Sequence, residues 1–315
     1  MKNYIVLFFV LALWCAFLPC LRFIDLSGDV SASVPSCSAE ESAEAETATP
    51  CFSAADTRLV LYVKETNTAK SVELEEYVAC ALAAVMAEDS PVEALKAQAI
   101  AIRSLALNRK HSPVHHGFDM CTDPFCCYPV AETTSATYIN IATETDDVIL
   151  CYRGAPVMAL SHLSSCISTE AYGEEYPYLS CVRVEDEKGF ACYKTLYSYT
   201  KGDFKRRFEK NNIAFTEDHN TWVGESLFTD GNRVRKITLC GTELTGDRFA
   251  AALGLDSLCF SVTPTEHGFD VVCYGSGNGY GMSRCSALIM AAHGADYAKI
   301  LQRFYPNTVI TKLIK

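Results

Sequence analysis

The order of periodic segments in residues 57–315 predicts an α+β fold. Runs with the two-residue alternation of strands fill the middle, and runs with helical periodicity cluster near both ends. The composition supports a packed interior, with 49% hydrophobic and 21% charged residues in a chain of 315. That length suits one large core or two modest ones, and no internal repeat is visible.

Two segments precede this domain. Tyr4–Leu21 runs for 18 residues without a charge, between Lys2 and Arg22. This is near the minimum length for a membrane-spanning helix and lacks a small-residue cleavage site after it. Residues 1–24 are therefore expected to anchor the chain in the membrane as a single pass, with the domain outside and Lys2 inside. A cleaved signal peptide is the alternative. Residues 25–56 carry seven acidic residues and no basic one, which predicts an extended, self-repelling, disordered linker. The whole chain has 27 Lys and Arg against 38 Asp and Glu, a formal net charge of −11. With no basic stripe to offset that charge, generic nucleic-acid binding is not expected.

Within the domain, Arg58–Val63 alternates and is rich in β-branched residues, so it reads as a strand. Leu74, Val78, Leu82 and Val85 then mark one apolar face of a helix. A second helix has a clear start at Ser90-Pro91-Val92-Glu93, with an N-cap Ser, Pro at the first helical position and the Glu of a capping box. Its apolar ladder is Leu95, Ala99, Ile102 and Ala106, fading before Ser112-Pro113. Strand-like runs follow at Val148–Tyr152, Val157–Leu160, Lys236–Leu239 and Phe269–Tyr274. Ser283–His293 reads as a helix ended by Gly294, and Asp296–Tyr305 as another stopped by Pro306. The 16 cysteines do not demand a disulfide framework in a domain of this size. Cys80, Cys151, Cys259 and Cys273 sit in apolar runs, as small hydrophobes do.

Three separated blocks stand out. The first is Leu74–Val78 (LEEYV), followed by Pro91–Ala99 (PVEALKAQA) and Arg103. The second is His162–Glu170 (HLSSCISTE), with Tyr176–Leu179 (YPYL) beyond it. The third is Gly277–Arg284 (GNGYGMSR). Together they resemble the SpoIID/LytB family, whose members are membrane-anchored lytic transglycosylases that cut peptidoglycan glycan strands. The second block is similar to the family's HSSSGG-x-TE, and the third to GHGVGMSQ. By this resemblance, Arg103, Ser164, Ser165, Glu170 and Asn278 are the candidate substrate-binding residues. Each also has a plain structural reading: an ion pair for Arg103, turn formation for the others.

The resemblance also exposes a departure. The family's catalytic Glu falls in a segment like AAEM, and here Ala83-Ala84-Val85-Met86 occupies that place without a gap. Cleavage needs a proton on the leaving glycosidic oxygen and then a base for the attacking hydroxyl, roles one carboxyl group fills in turn. Val85 fills neither, and loss of such help is worth about 10²- to 10⁴-fold in rate. Glu88, three residues on, is the one nearby substitute, provided the helix continues that far. The family's Gly-Gly, His and Gln are likewise replaced, by Cys166-Ile167, Asn278 and Arg284.

His115, Cys121 and Cys127 have H-x5-C-x5-C spacing, a pattern at which some clostridial members of the family carry zinc. Imidazole and thiolate are the ligand types that zinc prefers, and His116, Cys126 or a water is the fourth. A Cys121–Cys127 disulfide, or free thiols in a turn, is the alternative. Together the resemblance and the departure imply a catalytically impaired, glycan-binding protein of sporulation engulfment or envelope remodelling. Its expected partners are peptidoglycan glycan strands and a wall amidase. An active transglycosylase using Glu88, and a metal-binding protein without glycan affinity, are the competing readings.

Overall fold

The alternating RLVLYV run forms strand β1 (Arg58–Val63), which turns Leu59 and Leu61 into the interior. Strand β2 (Thr68–Glu73) returns antiparallel to it and leads directly into helix α1 (Leu74–Val85). Leu74, Val78 and Leu82 are buried and Val85 is half-buried, as the four-four-three spacing predicts. This computed structural model describes residues 57–313, apart from residues 125 and 212. The expected anchor (1–24) and acidic linker (25–56) lie outside the described residues. Among the described residues, no helix is long and apolar enough to cross a membrane.

Helix α2 (Val92–His111) is the axis of the first core. Its predicted ladder is buried, but so are Ala97, Ile100, Ala101 and Leu105, so the helix is enclosed on nearly every side between Ala94 and Leu107. Its start differs from the expected one. Pro91 has φ −51° and ψ 131°, so it is the cap and not the first helical residue, and it makes no side-chain cap bond. The Glu93 carboxylate does not close a capping box on Ser90. It accepts a 2.8 Å bond from the backbone N–H of Tyr297, tying α2 to the last helix of the chain.

Strand β3 (Met120–Cys121) joins β1 in parallel, and helix α3 (Ala136–Glu144) packs on α1. The continuous apolar run of β4 (Val148–Tyr152) suits a central strand, flanked by β5 (Ala155–Pro156) and, from the C-terminus, β14. The expected strand at Val157–Leu160 is absent. There the N–H groups of Ala159 and Leu160 bond the carbonyls two residues back, at 2.9 Å each, so local tight turns satisfy the backbone. Strand β6 (Ser161–His162) follows.

The middle of the chain builds a second core. Strand β7 (Lys194–Thr200), helix α4 (Lys201–Arg207), β8 (Val223–Phe228), β9 (Val234–Leu239), β10 (Thr242–Thr245), helix α5 (Gly246–Leu253), β11 (Cys259–Thr265) and β12 (Gly268–Tyr274) enclose an aromatic cluster. Phe204 and Phe269 stack at 4.1 Å between ring centroids, with Phe208, Trp222 and Phe249 around them. The strands form two three-stranded antiparallel sheets, in the orders β10-β9-β8 and β11-β12-β7. Helices α4 and α5 correct the expectation that helices gather only near the ends. Both start at a threonine N-cap, Thr200 and Thr245, whose hydroxyl accepts from the N–H three residues on.

The chain then re-enters the first core through β13 (Met282–Ser283), parallel to β6, and helix α6 (Arg284–Ala292). Helix α7 (Tyr297–Phe304) and strand β14 (Val309–Lys312) complete it. The observed α+β class agrees with the expectation, and of one large core or two modest ones the fold has two.

Candidate functional site

Helix α1 ends at Val85, since Met86 leaves the helix with φ −129° and ψ 142°. The side chain at the expected catalytic position is thus a half-buried valine that packs on the first core. Because the helix stops there, Glu88 does not come onto the face of Val85. Its carboxylate is exposed and accepts a 2.7 Å bond from the Ser135 hydroxyl. Hydrogen bonds from Ser135 and Thr137 hold it below the usual carboxylate range. A general acid needs the opposite shift.

Arg103 is fully buried on α2, with its guanidinium forked onto Glu75 of α1 at 2.7 and 2.5 Å. It donates further to the carbonyls of Val148 and Ala142, both at 3.1 Å. No face of the side chain reaches solvent, so it holds α1, α2, α3 and β4 together and does not line a cleft.

The second and third motif blocks meet at a carboxylate that the sequence reading missed. Glu187 lies in a short 3-10 turn and is 0% exposed. Its Oε2 accepts from the Ser164 hydroxyl at 2.7 Å and from the Ser165 N–H at 2.9 Å. Its Oε1 accepts from the hydroxyls of Ser283 at 2.5 Å and Ser286 at 2.7 Å. Four donors satisfy a buried charge that would otherwise be costly. Ser164 and Ser165 are each 1% exposed, so as placed they organise the loop and do not face a ligand.

Beside this hub, His162 is buried between the two blocks. A carbonyl only accepts, so the 3.1 Å contact with Tyr280 O puts the proton on Nδ1. Nε2 is then the acceptor for the Ser165 hydroxyl at 2.6 Å, and the Ser165 oxygen accepts in turn from Arg233 Nη2 at 3.2 Å. Burial, aided by the Arg233 charge, lowers the His162 pKa to about 3, so the imidazole is neutral. The unfolded chain takes up that proton near the ordinary value of 6.5. Stability is therefore expected to fall as pH drops from about 6.5 towards 3, by at most about 1.4 kcal/mol per pH unit from this group. Thermal melts across that window check it, and His162→Gln should flatten the slope.

Arg233, 3% exposed, is a second residue that sequence reasoning missed. Its Nη1 donates to the carbonyls of Ser168 and Gly231 at 3.2 and 3.0 Å and lies 3.6 Å from Glu170. Glu170 also accepts from the Thr229 hydroxyl at 2.6 Å. The glycine-rich turn explains itself here: a Cβ on Gly279 would lie 2.1 Å from the Arg233 guanidinium, and its φ of +83° disfavours other residues. Asn278 is exposed at the tip of this turn, where its Oδ1 accepts from the Tyr280 N–H at 3.0 Å. Of the five predicted binding residues, only Asn278 is exposed. Near it, Tyr172 is 44% exposed and packs edge-on against Tyr176 and Tyr280.

A separate cluster gathers His115, Cys121, Cys126 and Cys127, whose ligand atoms all lie within 4.8 Å of one another. His115 Nε2 is 3.3 Å from Cys127 Sγ and 3.5 Å from Cys126 Sγ, and the two sulfurs are 3.9 Å apart. Bonds of about 2.0–2.3 Å at tetrahedral angles place donor atoms about 3.4–3.8 Å apart, so the set can hold a tetrahedral metal ion. Burial lowers the His115 pKa, which favours the neutral imidazole that ligates. Burial raises Cys126 and Cys127, so binding a metal there releases protons. Cys126, next to Cys127 in the chain, is the fourth residue of this cluster. Cys121 and Cys127 are free thiols and not a disulfide.

A buried carboxylate hub, a glycine-rich turn closing on it and a His/Cys cluster beside the paired helices α1 and α2 define the domain type. Residues 62–152 match the family model described as SpoIID, stage II sporulation protein. The chain is 25% identical to stage II sporulation protein D of Bacillus subtilis (strain 168), over 99% of this chain and 96% of that one. It is 24% identical to stage II sporulation protein D of Bacillus amyloliquefaciens, over 85% of this chain and 83% of that one. An uncharacterized protein of Brachyspira hyodysenteriae (strain ATCC 49526 / WA1) is 26% identical over 76% of this chain and 66% of its own. These similarities support the SpoIID family for this chain.

Proposed function

We propose that this SpoIID-family protein binds peptidoglycan glycan strands at the outer face of the cell membrane, in sporulation engulfment or related envelope remodelling, with its cleaving activity impaired. The observation that carries this reading is Val85, which stands at the end of α1 where the family's acid is expected. Glu88 is pinned by Ser135 with a lowered pKa, and Glu187 is sealed from solvent, so neither supplies the missing proton. Glycan binding is supported by the exposed Asn278 and Tyr172, since aromatic faces and amide groups suit the faces and hydroxyls of sugar rings. Anchorage rests on the uncharged Tyr4–Leu21 run, and the wall amidase partner on family resemblance. Co-sedimentation of the full-length protein with peptidoglycan stripped of stem peptides tests the binding. Retention that Tyr172→Ala together with Asn278→Ala reduces is expected, and no retention at all contradicts it.

The reading includes a structural zinc ion held by His115, Cys121, Cys126 and Cys127. Bound there, zinc supplies a four-fold cross-link that fixes the loop between α2 and α3. Three thiols and one imidazole leave no open position for a substrate, which is the closed arrangement of structural sites. About one zinc per chain is expected by elemental analysis, and a chelator should lower the melting temperature by several degrees. Stoichiometric metal that is removed without any change in melting contradicts the structural role.

A further inference from the structure

The second core is inserted into the chain of the first, and the two crossings of the chain form a neck. The chain leaves through the 3-10 turn Ala191–Tyr193 into β7, and it returns after β12 through the glycine-rich turn and β13 into α6. Two cysteines sit at this neck. Cys192 lies in the departing turn and is half-buried, and Cys285 lies in the first turn of α6 at 1% exposure. Their sulfurs are 3.6 Å apart, across 93 residues of sequence. The same strands of chain are already clasped by hydrogen bonds, because Glu187 accepts from Ser283 and Ser286 on either side of Cys285. Closing the sulfurs to a bond of about 2.05 Å therefore needs a small movement within a preformed contact.

We propose that Cys192 and Cys285 form a reversible disulfide across this neck, made by a disulfide oxidant of the oxidised-glutathione class. The Cys192 thiolate, on the accessible side, attacks one sulfur of the oxidant to give a mixed disulfide and releases one glutathione thiolate. Cys285 then loses its proton to solvent and attacks Cys192 Sγ, expelling the second glutathione. Two protein thiols are oxidised and one glutathione disulfide is reduced, so electrons balance. Burial raises the Cys285 pKa, which makes the second step the slower one. The bond closes a loop that contains the whole second core, and a crosslink over so long a loop restricts the unfolded chain strongly. This inference stands on sulfur positions alone and does not depend on glycan binding.

The test uses the full-length protein, reduced and then exposed to oxidised glutathione, with remaining thiols alkylated before digestion and mass spectrometry. A peptide pair linked through Cys192 and Cys285 is expected, with an intact mass about 2 Da lower per bond and reversal by dithiothreitol. The melting temperature should rise on the order of 10 °C. Cys192→Ser should keep the melting temperature of the reduced protein and lose both the linked pair and the rise. Alkylated Cys192 and Cys285 after oxidation, or either one joined to another cysteine, overturns the proposal, as does a linked pair without any rise in melting temperature.

Discussion

Val85→Glu is expected to raise glycan cleavage, releasing anhydro-muropeptides at least about 10²-fold faster than the wild type. Val85 is the last residue of α1 and half-buried against the first core. A carboxyl group placed there loses part of its hydration, which raises its pKa. It also meets the negative end of the helix dipole, which raises the pKa again. Both effects act towards a proton held near neutral pH, which is what protonation of a leaving oxygen requires. Val85→Gln is the control, with the same shape and no transferable proton. Equal activity of the Glu and Gln variants would show that the missing acid is not what limits the chain.

Arg103→Ala carries the largest expected stability loss, about 3–5 kcal/mol, because it leaves Glu75 without its fork and takes a donor from each of two carbonyls. Urea or thermal unfolding measures it. Arg103 is fully buried and its bonds reach α1, α3 and β4, so the loss falls on the junction of the first core. Arg103→Lys keeps the charge without the fork and should recover only part of the loss. A folded Arg103→Lys protein should retain glycan as the wild type does. Lost glycan retention with unchanged stability would place Arg103 at a ligand after all.

The first core was largely legible in the sequence because its signals are local. Leu59 and Leu61 alternate inward in β1, and the four-residue spacing of Leu74, Val78 and Leu82 put them on one buried face. The ends of α6 and α7 were legible from Ser283, Asp296, Gly294 and Pro306, since capping is decided within one turn. Val157–Leu160 was misread because apolar content resembles a strand, whereas its hydrogen bonds close within two residues. The second core's short helices were missed although Thr200 and Thr245 cap them, because each has only two turns of pattern to offer.

The site divides along the same line. The His115, Cys121 and Cys127 spacing is local and visible, and Cys126 joins them by adjacency. Glu187 gave no signal, because its partners lie 22, 23, 96 and 99 residues away. Its neighbourhood reads as an acidic, solvated run. Arg233 reaches Ser165 from 68 residues away and was equally hidden. The serines of both motif blocks were visible, but their shared need for one buried acceptor becomes apparent only once the chain is folded.

The most direct test is to incubate the full-length wild-type protein with peptidoglycan stripped of stem peptides and analyse the soluble fraction by mass spectrometry. Strands held on the protein with no anhydro-ended sugars released is the predicted result. Anhydro products from the unmodified chain, in amounts that scale with protein and time, would contradict the account.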